Sequence, residues 1–221
     1  MKSARTVTVL LALALTSTLV LTGHQSACAS DLATRANIFM YPKPMSVSRF
    51  ALQSLSGQPV SLGDYRGRVV LLRFSSINCP ACRMEEPSLV ELKKRFGPAG
   101  LEILTVNLVD SLPEVAQHAA ASKEPFPTLV GGGGLSLRVV DMAGKKTAFV
   151  LNPAQEAIFE VPGFPTTYIF DCSGSAVGYS VGAARWSDAA ATDLIHGLVT
   201  DARLCAPPRQ AQGGPKAFSR Q

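Results

Sequence analysis

Along the chain the apolar positions change period several times, and each change marks an element. Phe50-Ala51-Leu52-Gln53-Ser54-Leu55 partly alternates apolar and polar, as a half-buried strand does. Ser56-Gly57-Gln58-Pro59 is turn chemistry, and Val60-Ser61-Leu62 resumes the alternation, which predicts a β-hairpin. After the turn Gly63–Gly67, Val69 to Phe74 is a continuous apolar run with one interruption, Arg73, and reads as a buried strand. From Cys79 the period becomes helical, with Leu89, Leu92 and Phe96 on one stripe and a stop at Gly97-Pro98. Pro87 lies inside that helix and is expected to kink it. Leu101 to Leu108 is apolar at most positions, the pattern of a strand buried on both faces.

Pro113 to Ala121 then reads as a helix and Phe126 to Val130 as a short strand. Gly131 to Gly134 is a hinge or loop. Beyond it Leu135 to Val139 alternates, Ala143-Gly144-Lys145 turns, and Thr147 to Leu151 returns, which predicts an added hairpin near 135–151. A brief helix is expected at Gln155 to Phe159. Thr166 to Phe170 and Ala176 to Val181 are strands joined at Ser173-Gly174, and Trp186 to Leu204 is the last helix, capped by Ser187 or Asp188. Strands alternating with helices argue for an α/β fold with a partly parallel sheet.

The two ends of the chain carry neither pattern. Met1 to Ala29 has Lys2 and Arg5, then an uncharged apolar run from Val7 to Leu21, then Ala27-Cys28-Ala29 in the form of a cleavage site, so residues 1–29 read as an export signal. Lipidation at Cys28 competes, although Gln25 stands where a lipobox would have Leu; an uncleaved anchor ranks third, because the apolar run is short for a full span. Residues 30–47 hold Pro42 and Pro44 with little periodicity and read as a linker, which leaves 48–205 as one domain. Residues 206–221 are polar and rich in Pro and Gly, the composition of a disordered tail.

Charge changes the picture less than its total suggests. The formal net charge is +5, but Lys2 and Arg5 in the leader and Arg209, Lys216 and Arg220 in the tail have no acids around them. The body is therefore neutral, and a nucleic-acid partner has no basic face to bind. Four cysteines remain once Cys28 is set aside, and an exported protein can keep them as disulfides.

Cys79-Pro80-Ala81-Cys82 is the candidate chemistry. A C-x-x-C between a strand and a helix is a redox motif. At the helix N-terminus, unpaired N–H groups and the positive end of the dipole favour a thiolate at Cys79. Pro80 suits the first turn, where its missing N–H has no intrahelical partner. Cys82 lies on the same face and can attack a mixed disulfide formed at Cys79. A zinc site would want four ligands, and no second C-x-x-C or H-x-x-x-H exists. His118 and His196 lie in helical stretches away from the cysteines. No cofactor is expected.

Together with Gly163-Phe164-Pro165-Thr166-Thr167, this motif resembles the thioredoxin fold and, more narrowly, the exported TlpA/ResA-like thiol–disulfide oxidoreductases, over about residues 48–204. The entry Phe50-x-Leu…Gly57-Gln58-Pro59-Val60-Ser61-Leu62…Tyr65-Arg66-Gly67 is shared with peroxiredoxins. That branch is discounted, because no Pro or Thr stands between Val69 and Asn78. The resemblance implies a central mixed β-sheet flanked by helices, with an N-terminal β-hairpin and the inserted hairpin. It implies that Pro165 is cis, that its loop faces Cys79, and that the backbone of Phe164 pairs with a substrate segment as an added strand. Substrate contact then falls to Pro80, Ala81, Phe164, Pro165 and Thr166.

Glu85 stands where this family often places an acid, one turn beyond Cys82, and can exchange protons with that thiol; its other reading is an acid that merely favours the early turns of a helix. Asn78 departs from the family, which commonly has Trp before the first Cys. Arg73 also departs, occupying a strand position where Asp or Asn is usual; a cation there can hold a thiolate or pair with Glu85. The implied activity is exchange of protein disulfides in the periplasm or cell envelope. Its expected direction is reduction, with a membrane thiol electron donor, and apocytochrome c (in cytochrome c maturation) or a copper-site protein as substrate. A disulfide-forming oxidant and a non-catalytic copper-binding module are the alternatives.

The remaining pair, Cys172 and Cys205, follows from lengths. A strand of about six residues covers about 20 Å, and a helix of about eighteen covers about 27 Å, enough to return Cys205 to the turn holding Cys172. A structural disulfide is expected there, against the alternative of two unpaired thiols.

Overall fold

The computed structural model describes residues 31–46, 51–122, 125–131, 136–139, 148–151, 159–201 and 205. The expected leader 1–29 and tail 206–221 lie outside the described residues. Eleven strands are described: β1 (Phe39–Ser46), β2 (Ala51–Ser54), β3 (Pro59–Ser61), β4 (Val69–Phe74), β5 (Leu101–Asn107), β6 (Thr128–Val130), β7 (Ser136–Val139), β8 (Ala148–Leu151), β9 (Phe159–Val161), β10 (Thr166–Phe170) and β11 (Ser175–Val181). The principal helices are α1 (Pro80–Phe96), α2 (Leu112–Ala121) and α3 (Ala189–Thr200).

Eight strands form one sheet in the order β1-β11-β10-β4-β5-β6-β2-β3. Its centre, β4-β5-β6, is parallel, and the flanking pairs are antiparallel. β4 is buried at all six positions, as its sequence predicts. Its alternation divides the core into two layers. Val69 and Leu71 join Leu89, Leu92 and Phe96 of α1 and Leu194 and Ile195 of α3. Val70, Leu72 and Phe74 face the other way, onto Phe159, Val161, Tyr168 and Phe170. A central strand covered on both sides is what a continuous apolar run encodes.

Three sequence expectations are corrected. The linker expected over 30–47 instead contains an edge strand, β1, paired antiparallel with β11. Its register slips between Met40 and Met45, around Pro42 and Pro44, and prolines are tolerated on an edge because their missing N–H breaks no ladder. Ala33 and Ile38 just before it are buried in the α1/α3 layer, so the domain is under way well before residue 48. Gly178 lets β1 close in: a Cβ there would meet the Phe39 carbonyl oxygen at 2.5 Å.

The inserted hairpin β7-β8 gains a third strand, β9, which takes in Phe159; the rest of the helix expected at Gln155–Phe159 lies outside the described residues. The hydroxyl of Tyr168 accepts from the Glu160 N–H at 3.0 Å and donates to its C=O at 2.7 Å, fastening β9 to the main sheet. The last helix starts at Ala189 with Asp188 as its N-cap, not at Trp186. Trp186 is fully buried in the loop ahead of it, where its indole finds a polar partner under α1.

Candidate active site

At the C-terminal end of β4 the chain makes a short loop, Ser75–Asn78, and delivers Cys79 as the N-cap of α1, with Pro80 at the first helical position. Cys79 is half-buried and Cys82 is 1% exposed. They form a disulfide with a Cα–Cα separation of 5.2 Å, and the Cys82 N–H donates to Cys79 Sγ at 3.0 Å. The sulfur thus takes the place a capping oxygen usually holds, and an orphan helical donor points at it. Any negative charge developing on Cys79 meets that donor and the helix dipole.

The loop before Cys79 is held by a residue the sequence reading missed. Asp110, just beyond β5, accepts from the Ile77 N–H at 2.8 Å, from Ser76 Oγ at 3.3 Å and from Asn107 Nδ2 at 2.7 Å. Asn107 Oδ1 in turn accepts from the backbone N–H groups of Val109 and Asp110. Burial by itself would push the Asp110 carboxyl up, but the donors Asn107, Ile77 and Ser76 outweigh it and hold the group below its usual value. The one sequence signal was an Asn and an Asp three apart where a buried strand ends.

Beneath the redox pair lies a buried ionic cluster. Arg73 is 1% exposed, and its side chain sits under the first turns of α1. Its Nε donates to Glu85 Oε1 at 2.7 Å and its terminal Nη2 to the Cys82 carbonyl at 2.7 Å. Glu85 Oε2 accepts from the Ala184 N–H at 3.2 Å and from Trp186 Nε1 at 3.3 Å. Burial pushes the Glu85 carboxyl up from its usual value, opposed by the Arg73 charge and by these hydrogen bonds. Of the two expectations for Arg73, the pairing with Glu85 is observed.

The Phe164–Pro165 peptide bond is cis. Thr166 pairs with Phe74, so Pro165 falls at the end of the sheet that carries Cys79. The loop is braced by Thr166 Oγ1, which donates to the Gly163 carbonyl at 2.7 Å, and by the Gly182 N–H, which donates to the Pro165 carbonyl at 2.8 Å. Pro165 and Thr166 are buried and Phe164 is half-buried, while Pro80 is exposed and Ala81 half-buried beside the cysteines. Cys172 and Cys205 form the expected second disulfide, Cα–Cα 5.0 Å. It lies at the opposite end of the sheet, because Phe170 pairs with Val70 at the start of β4.

Residues 45–175 match the model of the AhpC/TSA family. The chain is 28% identical over 117 residues to the thiol-disulfide oxidoreductase ResA of Bacillus subtilis, covering 53% of this chain and 65% of that relative. It thus spans slightly less than two thirds of ResA's length. It is 30% identical over 136 residues to the thioredoxin-like protein YneN of the same organism, covering 60% of this chain and 68% of YneN. Among solved structures, a thiol:disulfide interchange protein of the thioredoxin family from Chlorobium tepidum superposes with a TM-score of 0.52 at 20% identity, over 72% of this chain and 99% of that one. That likeness shows the fold: a mixed sheet flanked by helices. The chain has a thioredoxin fold and belongs to the AhpC/TSA family.

Proposed function

We propose that this protein is an exported thiol–disulfide oxidoreductase that exchanges disulfides with protein substrates through Cys79 and Cys82. The carrying observation is the asymmetry of the pair: a half-buried Cys79 capping α1, bonded to a fully buried Cys82. In the reducing direction the Cys79 thiolate attacks one sulfur of a substrate disulfide. The Cys79–substrate bond forms, the substrate S–S bond breaks, and the departing sulfur takes a proton from solvent. The Cys82 thiolate then attacks Cys79 Sγ, closing the enzyme disulfide and releasing the second substrate thiol. The substrate gains two electrons and two protons, and a thiol donor at the membrane restores the dithiol. Reduction is the proposed direction because it is what the resemblance to the TlpA/ResA-like oxidoreductases implies. The loop Gly163–Thr166, at the same end of the sheet as the pair, offers backbone for a substrate segment to line up as an added strand. Glu85, one turn below Cys82, holds Arg73 beneath the pair through its Oε1.

The test is a Cys82→Ser variant expressed with its leader in the native host. Mixed disulfides to Cys79 should accumulate on exported proteins and disappear in the Cys79→Ser control. Failure to trap any partner, together with no insulin reduction by the purified wild type, overturns the reading.

A further inference from the structure

Arg73 is a permanent cation with 1% of its surface exposed, hydrogen-bonded to the backbone of Cys82, whose thiol is buried and so disfavoured from ionising. Its orientation is polar in one sense. The terminal nitrogen meets the Cys82 carbonyl, whereas Nε meets Glu85. The carboxylate is drawn to the far side by the Ala184 N–H and the Trp186 indole on the loop before α3. The ion pair therefore lies with its positive end toward Cys82 and its negative end toward that loop. Among the described residues, three elements and one loop face or neighbour Arg73. α1 contributes Cys82, Glu85 and, at 3.9 Å, the half-buried Glu86. Its sheet neighbours are Thr105 on β5 and Thr167 on β10, neither charged. On the loop before α3, Arg185 is exposed and paired with Asp188.

We propose that Arg73 is a positioning residue for the second half of the exchange: its guanidinium, fixed to the Cys82 carbonyl, stabilises the Cys82 thiolate that must attack Cys79. This deepens the proposed function, since only that reading makes Cys82 the resolving sulfur. The step balances without a further reagent: Cys82 loses its proton to solvent, its sulfur bonds to Cys79 Sγ, and the substrate sulfur leaves and is protonated from solvent.

The experiment isolates Cys82 from turnover. In a Cys79→Ser background, with Cys172 and Cys205 paired, Cys82 is the reporter thiol of the folded domain. Thiolate absorbance in the ultraviolet gives its titration midpoint. Replacing both charges, Arg73→Met with Glu85→Gln, leaves no lone buried ion. The midpoint should move up, lowering the acid dissociation constant of the Cys82 thiol at least about tenfold, as expected for loss of a close opposite charge. Glu85→Gln alone, which keeps the cation, should not raise it. An unchanged or lower midpoint in the double variant, or a rise in Glu85→Gln, overturns the proposal; if the double variant does not fold, the single variant decides. Trapping of partners by Cys82→Ser is independent of this titration, so either reading can fail alone.

Discussion

Asp110 is the residue whose removal should reach the redox centre without touching it. Its carboxylate binds the Ile77 N–H and Ser76 Oγ, two and three residues ahead of Cys79, and anchors them to the end of β5. Because hydrogen bonds to the charged form hold its pKa below the usual value, the latch favours folding above the unfolded-state pKa. As pH falls through the lower folded value, that contribution is lost. Asp110→Ala should therefore lower the melting temperature at neutral pH and flatten its fall on acidification. It should also slow alkylation of reduced Cys79, because the cap is no longer held in place. Melting curves between about pH 3 and 7 and a labelling time course check this. If the acid limb of the variant matches the wild type, the latch has no role in stability.

At the scale of elements, what could be read from the sequence follows from where each element lies. β4 and β5 are continuous apolar runs because both faces are covered, and the run survives in the sequence as a local signal. Cys79 and Cys82 were legible for the same reason, since three residues of spacing on one helix need no tertiary knowledge. β1 was not legible, because an edge strand with mostly exposed side chains and two prolines has no period to detect. Asp110 was missed, and Trp186 was read only as part of the last helix and not as a partner of Glu85, because the partners stand 33 and 101 residues away. The second disulfide was the exception among long-range contacts: lengths of strand and helix alone bring Cys205 back to Cys172. It closes a separation of 33 residues and fastens the chain beyond α3 to the turn between β10 and β11. Replacing Cys172 and Cys205 together by Ser should cost about 2–5 kcal/mol in urea unfolding. A loss below about 0.5 kcal/mol would mean that the packing of α3 on the sheet is sufficient without it.

In the whole molecule the two disulfides occupy opposite ends of one sheet, and that separation assigns them different chemistry. β4 runs six residues from the Cys172 end to the Cys79 end, which at about 3.3 Å per residue is about 20 Å of strand. No thiolate formed at Cys79 can reach Cys172 across that distance while the sheet is intact. The environments differ as well. Cys79 caps a helix, is half-buried and receives an N–H on its sulfur, so its thiolate is a stabilised leaving group. Cys172 is 4% exposed in a core layer, where a thiolate would be desolvated and an incoming reductant excluded. Graded reduction with glutathione or dithiothreitol should thus proceed in two separated steps. Mass analysis after alkylation should find Cys79 and Cys82 modified first, with near-UV circular dichroism retained. Cys172 and Cys205 should follow only under conditions that also unfold the sheet. Simultaneous opening of both pairs in the folded protein would show that the far disulfide takes part in exchange, and the division of one catalytic and one structural bond would have to be given up.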